Sequence, residues 1–288
     1  MHLFSGTGVA LITPFDTNGQ VDFEALDRVV EHVITGQVEY LVALGTTGET
    51  PTLTHAEKLA LLRAIVRKTA GRVPVVCGAG GNHTTGVIDW IQEVQQEGIA
   101  GLLSVVPYYN KPSQEGIYQH FAAIAASTEL PIILYNVPGR TVTNMLPATT
   151  LRLAQDFNHI VAIKEASGSL PQCMELVASA PDGFAVLSGD DDLVLAQLAC
   201  GMHGVISVAA NCYPKDFSDL VRAGLANGFP AARTLHYKLL PAVKLLFAEG
   251  NPTGAKAVLH QMGLCQNVLR LPLIAASESL YGQLQNAI

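Results

Sequence analysis

The stretch Val161-Ala162-Ile163-Lys164 is one of a series of short apolar runs whose recurrence decides the fold. The runs are rich in β-branched residues and occur at nearly regular intervals. There are eight of them, at residues 9–12, 41–44, 73–77, 101–105, 131–135, 161–164, 185–188 and 204–208. Runs that are apolar at every position are typical of strands buried on both faces, as in a parallel sheet.

Each run is followed by a turn signal and then by a helical pattern. Asp22 is expected to start the first helix, which ends near Gly36, and Thr54 and Glu57 have the spacing of a capping box. Eight strand–helix units predict an α/β protein with a (β/α)8 TIM barrel. A doubly wound sheet is the alternative, but the chain has no glycine-rich dinucleotide turn. The second helix is expected to end at Gly71 and to bury one face, made of Leu59, Leu62, Ile65 and Val66.

The last part of the chain has a different pattern. Strand signals stop after Asn211, and helical patterns begin at about Leu225 and cover residues 231–247 and 252–259, followed by a C-terminal segment. We therefore expect a catalytic barrel over residues 1–224 and a C-terminal helical appendage over residues 225–288. The apolar residues of the appendage could serve core packing or subunit contact.

Composition excludes several classes of function. Only 14% of the 288 residues are charged, the formal net charge is −7, and no cluster of Lys and Arg suggests a nucleic-acid surface. No apolar run approaches the roughly 20 residues of a membrane span, and the N-terminus does not resemble a secretory signal. Five scattered cysteines are typical of reduced thiols, so we expect a cytoplasmic protein without a structural metal.

Motifs for nucleotide binding, zinc proteolysis and serine hydrolysis are absent, so the ends of the strands are the place to look for chemistry. In a TIM barrel the active site lies where the C-terminal ends of the strands meet. Polar residues follow several of the predicted strands there, and the candidates are Thr46, Thr47, Tyr109, Tyr135, Arg140, Lys164, Glu165 and Asp190 to Asp192.

Lys164 is the most informative of these residues. By strand alternation it shares a face with Ala162, whose small side chain leaves room for a long one. If that face points into the barrel, desolvation favours the neutral amine, which can attack a ketone and form a Schiff base. The alternative is a lysine paired with a neighbouring carboxylate, while Glu165 lies on the opposite face.

Three further positions have both a functional and a structural interpretation. The Tyr135 hydroxyl could move protons beside Lys164, or Tyr135 could be a packing residue. Thr46 and Thr47 could bind a small carboxylate, or they could form only a tight turn. Arg140 suits bidentate capture of a carboxylate, or it could be a solvent-exposed loop residue. Asp190, Asp191 and Asp192 are interpreted as capping groups for the helix after the seventh strand rather than as metal ligands.

Eight motifs follow one another in order between Gly6 and Leu273. They are GTGVALITPF, GTTGETPTL, PYYNKPSQEGIYQHF, ILYNVPGRT, AIKEASG, LSGDD, GVISVAAN and NPTGAKAVL. This ordered set resembles the dihydrodipicolinate synthase family. These pyruvate-dependent class I aldolases belong to a superfamily that also contains N-acetylneuraminate lyase and sugar-acid aldolases.

The resemblance implies a role for each candidate. Lys164 would form the imine with pyruvate, and Tyr135 would exchange protons beside it. Thr46 and Tyr109 would extend a hydroxyl relay, with Tyr109 reaching the site of a neighbouring subunit. The resemblance further implies L-aspartate 4-semialdehyde as second substrate, no cofactor, and a homo-oligomer that is a dimer of dimers. The implied substrate-binding residues are Thr46, Thr47, Arg140, Gly189 and Ile206.

Two alternatives to the synthase remain at this point. One is a lyase that cleaves N-acetylneuraminate or a 2-keto-3-deoxy sugar acid through the same Schiff base. Thr46 and Arg140 favour the synthase, because the neuraminate lyases usually have a serine at the first position and lack the arginine. The other is a catalytically silent metabolite-binding protein, which the joint presence of Lys164, Tyr135, Thr46 and Arg140 disfavours.

One departure from the family pattern concerns regulation. Lysine-inhibited members use a histidine and a glutamate where this chain has Lys58 and Gly86, although His55, Asn82 and Tyr108 match. An added cation and a lost carboxylate disfavour a ligand whose ammonium groups need acceptors. We therefore predict weak or absent feedback inhibition by lysine.

Overall fold

Eight parallel strands form a closed barrel in the computed structural model, which describes residues 2–287. Each strand pairs with the next along the chain, and the first also pairs with the last. The predicted TIM barrel is therefore confirmed, because a doubly wound sheet would leave two open edges. The strands are β1 (Gly6–Ala10), β2 (Tyr40–Ala43), β3 (Val75–Gly78), β4 (Gly101–Val105), β5 (Ile132–Asn136), β6 (Ile160–Glu165), β7 (Ala185–Ser188) and β8 (Gly204–Ser207).

Helices cover the outside of the barrel, and three more follow it. Within residues 2–287 they are α1 (Phe23–Thr35), α2 (His55–Thr69), α3 (Thr84–Val94), α4 (Gln114–Ala125), α5 (Pro138–Thr141), α6 (Pro147–Asp156), α7 (Leu170–Ser179), α8 (Val194–Ala199), α9 (Pro214–Leu225), α10 (Phe229–Phe247), α11 (Thr253–Gln261) and α12 (Glu278–Gln285). None of these helices has the length and apolar character needed to cross a bilayer.

The predicted starts of α1 and α2 are confirmed, and the predicted apolar face of α2 packs on the core. Asp22 accepts a hydrogen bond from the Ala25 amide, and Thr54 forms the capping box with Glu57. In α2, Leu62 and Ile65 are buried, and Leu59 and Val66 are half-buried and pack against the same cluster. Its C-cap is Ala70, one residue before the predicted Gly71. The fully buried positions are Leu61, Leu62, Ala64, Ile65 and Thr69.

Strand alternation separates two apolar layers in the way that the sequence predicts. Ala162 belongs to the cluster inside the barrel, whereas Ile163 belongs to the layer between the strands and the surrounding helices. Tyr135 on β5 is in register with Lys164 on β6. Neighbouring strands of a sheet lie about 5 Å apart, so the register places the two functional candidates side by side.

The C-terminal helices pack onto the barrel. Leu239, Val243 and Leu246 of α10 and Val258 of α11 lie in the same buried cluster as the outer barrel layer. Core packing is therefore one role of their apolar residues. The division into residues 1–224 and 225–288 stays a prediction, and its outer bounds, residues 1 and 288, lie outside the described residues. We refer to residues 225–287 as the C-terminal region.

Gly204 is a position where we predict a large effect on stability. Its φ is +152°, and a Cβ there would lie 2.2 Å from the Gly6 carbonyl oxygen on the neighbouring strand. Gly204→Ala is expected to lower the free energy of unfolding by about 3 kcal/mol, from backbone strain and overpacking. Urea denaturation measures the change. Gly282→Ala in α12 is the control, since nothing lies within 4 Å of that position, and equal denaturation midpoints for the two variants would contradict the prediction.

Candidate active site

A cavity of about 410 Å³ opens at the C-terminal ends of the strands. Its walls include loops that follow β2, β5 and β7, and Phe247 and Asn251 of the C-terminal region also line it. Six of the predicted site residues line it together. They are Thr46, Thr47, Tyr135, Arg140, Lys164 and Gly189.

Lys164 presents its amine to this cavity and makes no close ion pair within the described residues. Its side chain is 5% exposed, and Nζ lies 4.3 Å from the centroid of the Tyr135 ring. Within residues 2–287, no carboxylate oxygen lies within 4.0 Å of this amine. This geometry argues against the structural ion pair that was the alternative for Lys164. Gly189 makes the space, because a Cβ there would lie 3.0 Å from Lys164 Cε.

The threonines of the β2 loop form a short 3-10 turn, Thr46–Gly48, which we call the threonine turn. Thr47 is 2% exposed, and its hydroxyl accepts a hydrogen bond of 2.9 Å from Asn251 Nδ2. Sequence reasoning missed Asn251 as a site residue. The only signal was its place at the start of the NPTGAKAVL motif, because nothing local connects it to a loop some two hundred positions earlier in the chain.

Arg140 is positioned by α5, which follows β5 directly. Its side chain is exposed, lines the cavity and makes no ion pair with the part of the chain that the structure describes. A free guanidinium at the rim of a cavity that contains a lysine amine can bind a carboxylate in a bidentate manner.

Two predicted residues lie away from this cavity. Tyr109 is 87% exposed in the loop after β4, with a φ of 72°, and it does not line the cavity. Ile206 is 1% exposed on β8, where its side chain packs inside the barrel with Tyr135 and Ala162. The predicted relay through Tyr109 needs a second copy of the chain, and the predicted contact of Ile206 with pyruvate is one of backbone atoms. Both stay predictions.

Behind Lys164, Glu165 faces the helices and holds the ends of β5 and β6 together. Its buried carboxylate accepts hydrogen bonds of 3.0 Å from Asn136 Nδ2 and 3.0 Å from Gln172 Nε2. It also accepts one of 2.8 Å from the Ser167 amide. Because Asn136 and Glu165 are in register, this network fixes the strand ends that carry Tyr135 and Lys164.

The predicted role of the aspartates after β7 is wrong. The residue before α8 is Leu193, and this helix has no side-chain cap. Asp191 instead accepts hydrogen bonds of 3.0 and 2.7 Å from the amides of Val208 and Ala209, which follow β8. Closure of the barrel brings β7 next to β8, so these amides are nearer than the next helix. Burial raises the pKa of Asp191 to about 6 and, with the charge of Asp192, raises the pKa of Asp190 to about 6.

The raised pKa of Asp191 predicts that the stability of the protein depends on pH. Its pKa in the folded protein, about 6, lies above the ordinary 3.8, so between these values the folded state binds more protons than the unfolded state. Stability therefore falls as pH rises through this interval. Between about pH 4.5 and pH 7, the free energy of unfolding of the wild type is expected to fall by about 2 kcal/mol relative to that of Asp191→Asn. Urea denaturation at several pH values tests this, and parallel curves for the two proteins would contradict it.

A second cavity of about 460 Å³ adjoins the first and shares Thr46, Tyr135 and Arg140 with it. Its other walls include Lys58 and Tyr108. Within residues 2–287, no group of three or more His, Cys, Asp or Glu side chains is arranged to hold a metal ion.

Comparisons with known proteins agree over nearly the whole chain. The model of the dihydrodipicolinate synthetase family matches residues 3–288. The 4-hydroxy-tetrahydrodipicolinate synthase of Parabacteroides distasonis is 48% identical over 283 residues, which cover 98% of this chain and 95% of the relative. The dihydrodipicolinate synthase of Thermotoga maritima superposes with a TM-score of 0.97 at 42% identity, covering 99% of this chain and 98% of that chain.

A further solved structure is the chloride-inhibited dihydrodipicolinate synthase of Acinetobacter baumannii in complex with pyruvate. It superposes with a TM-score of 0.96 at 40% identity, covering 98% of this chain and 97% of that chain. The resemblance predicted from the motifs is confirmed, and the chain belongs to the dihydrodipicolinate synthetase family.

Proposed function

We propose that the chain condenses pyruvate with L-aspartate 4-semialdehyde through a Schiff base on Lys164 and yields 4-hydroxy-tetrahydrodipicolinate. The synthase class and its place in lysine biosynthesis are confirmed by the family and by full-length relatives. The observation that carries the mechanism is the unpaired Lys164 amine beside Tyr135 in a cavity lined by carboxylate-binding groups.

The first half of the reaction forms a nucleophile from pyruvate. The neutral Lys164 amine attacks the keto carbon, and the resulting carbinolamine loses water to form an imine. The Tyr135 hydroxyl donates and accepts the protons of these steps, because its ring lies against the amine. The imine then loses a proton from the methyl carbon of pyruvate, which gives an enamine.

The second half forms the product. The enamine carbon attacks the aldehyde carbon of the semialdehyde, and the aldehyde oxygen takes up a proton. The amine of the semialdehyde then attacks the imine carbon, which closes the ring and releases Lys164. A neighbouring hydroxyl such as that of Thr46 can pass protons between Tyr135 and the substrate.

The substrate carboxylates have two sets of partners. Thr46 and Thr47 bind the pyruvate carboxylate, with backbone atoms of Gly189 and Ile206 contacting the rest of pyruvate. Arg140 binds the carboxylate of the semialdehyde at the rim. Tyr109 completes the relay in the site of a second copy, so the active assembly is at least a dimer. The resemblance implies that this cytoplasmic enzyme is a dimer of dimers.

Borohydride reduction in the presence of pyruvate tests the proposal, because it converts the imine into a stable secondary amine. We expect one pyruvate-derived adduct, which peptide mass mapping locates at Lys164. The trapped enzyme should lose its condensation activity. An adduct elsewhere, or none, would overturn the Schiff-base mechanism. Faster cleavage of N-acetylneuraminate or a 2-keto-3-deoxy sugar acid than condensation would assign the chain to the lyases instead.

Weak or absent inhibition by lysine stays a prediction. Lys58 lines the second cavity and would repel an ammonium group, and Gly86 lacks the carboxylate that would attract one. Initial rates measured over a range of lysine concentrations test this, with the Lys58→His/Gly86→Glu double variant as the matched comparison. The wild type should be the less sensitive protein. Strong inhibition of the wild type at sub-millimolar lysine would contradict the prediction.

A further inference from the structure

An ion pair is completely buried beneath the threonine turn. The side chains of Lys256 in α11 and Glu49 are both 0% exposed, and Nζ lies 2.5 Å from Oε1. Lys256 Nζ also donates a hydrogen bond of 2.8 Å to the Val268 carbonyl oxygen. Burial lowers the pKa of Lys256, and the Glu49 carboxylate opposes that shift. Burying two charges is expensive, so the contact is maintained only where geometry is closely matched.

Glu49 is the residue that ends the threonine turn. Its backbone has a φ of 52°, in the left-handed region that is unfavourable for residues other than glycine. Its amide donates to the Thr46 carbonyl oxygen at 3.2 Å, and its own carbonyl oxygen accepts from the Thr52 amide at 3.0 Å. A non-glycine residue stays in this conformation only when its surroundings hold it there.

Arg270 provides a second contact from the C-terminal region. Its amide donates a hydrogen bond of 3.0 Å to Glu49 Oε2, so both carboxylate oxygens of Glu49 have partners from this region. Its guanidinium pairs with Glu57 at 2.6 Å and donates to the Thr52 carbonyl oxygen at 2.9 Å. The hydrogen bond and charge of the Arg270 guanidinium lower the pKa of Glu57 to about 2.

The two cations also share an aromatic support. Lys256 Nζ lies 4.1 Å and Arg270 Cζ lies 4.4 Å from the centroid of the Phe15 ring, which follows β1. Together with the hydrogen bond from Asn251 to Thr47, three contacts join the C-terminal region to the threonine turn and to Glu49 directly after it.

We propose that Lys256 and Glu49 are positioning residues, which hold the threonine turn in the conformation that binds the pyruvate carboxylate. This inference rests on the proposed function, since it assigns the turn to pyruvate. The pair touches no reacting atom. It fixes the left-handed residue on which the orientation of Thr46 and Thr47 depends, so the C-terminal region is part of the catalytic unit.

Neutral substitutions of similar size test the role. The measured quantity is the pyruvate concentration that gives half-maximal borohydride trapping at Lys164. The wild type is compared with three variants, Lys256→Met, Glu49→Gln and the double variant. We expect that concentration, and the KM for pyruvate, to rise at least about tenfold in each variant, because a small displacement of binding groups is costly. The change in kcat at saturating pyruvate should be smaller.

The double variant separates positioning from two other effects. A single substitution leaves one buried charge without its partner, which lowers stability and could itself repel pyruvate. The double variant carries neither charge, so its thermal stability should recover toward the wild type while its pyruvate binding stays weak. Wild-type pyruvate binding in the double variant would overturn the proposal. Failure of all three variants to fold would also overturn it, because the pair would then support the whole barrel.

Lys238→Met is the matched control. Lys238 also lies in the C-terminal region and forms an ion pair, but its partner is Asp216 on α9 rather than a residue at the threonine turn. Its side chain is 64% exposed. Its pyruvate dependence should equal that of the wild type. A wild type without any trapped adduct at Lys164 would contradict the proposed function and the positioning role with it. If the wild type forms the adduct and the variants show the same pyruvate dependence as the wild type, the positioning role alone is contradicted.

Discussion

Replacing Lys164 with methionine should abolish the pyruvate adduct and lower kcat by at least about 10³-fold, the scale expected when a covalent nucleophile is removed. Methionine has a similar length and no amine, so the imine and the enamine cannot form. The fold should survive, because Lys164 makes no ion pair within 4.0 Å in the described residues and its charge acts on Asp190 and Asp191 only at longer range. Steady-state rates and intact-protein mass after borohydride treatment measure the two effects.

Lys164→Arg separates charge from nucleophilicity. The guanidinium keeps a positive charge at this position but stays protonated, so it is no nucleophile at neutral pH. We expect this variant to be as inactive as Lys164→Met. Lys215→Met, at an exposed ion pair on α9, should retain full activity. Substantial condensation by either Lys164 variant would show that the reaction does not pass through an imine at this residue.

Replacing Tyr135 with phenylalanine should lower kcat by about 10²- to 10³-fold, as for loss of a general acid–base group. The ring is 6% exposed and packs in the interior cluster, and phenylalanine preserves that packing. Only the hydroxyl is lost, and with it the proton exchange beside the Lys164 amine. Stopped-flow or quenched measurements of imine formation should show the same slow step as the steady-state rate.

Tyr135→Phe and Lys164→Met should differ in whether the pyruvate adduct forms. In Tyr135→Phe the adduct should still form when borohydride and pyruvate are given enough time, because the nucleophile is intact. Tyr118→Phe is the control, since Tyr118 on α4 also loses a hydrogen bond, of 2.7 Å to Asp156, without approaching the cavity. A kcat of Tyr135→Phe that stays close to that of Tyr118→Phe would show that the Tyr135 hydroxyl has no part in proton transfer.

The position of Lys164 could be predicted from four residues of sequence. Strand alternation correctly places Ala162 inside the barrel and Ile163 outside it, and Lys164 follows at the end of the same interior face. Tyr135 follows from the same reasoning, because consecutive strands of a TIM barrel are neighbours. The core-facing side of α2 also follows from periodicity, although Leu61 and Ala64 are buried there as well.

The polar contacts that support the site were outside the reach of local patterns. Asp191 could have capped the next helix, and only the closed barrel brings the Val208 and Ala209 amides closer. Asn251 and Lys256 likewise have no local signal that connects them with Thr47 or Glu49. Each of these contacts joins segments that are remote in sequence, and many other pairings of the same side chains would satisfy the same chemistry.

Apolar periodicity predicts the barrel and the polar side chains at its C-terminal end, because periodicity is a local property of the chain that few folds satisfy. The folded structure is needed to show that the Lys164 amine makes no ion pair within 4.0 Å among the described residues, and that a buried Lys256–Glu49 pair lies beneath the threonine turn. The energy of a charge depends on its distance from other charges and from water, and these distances exist only once the chain has folded.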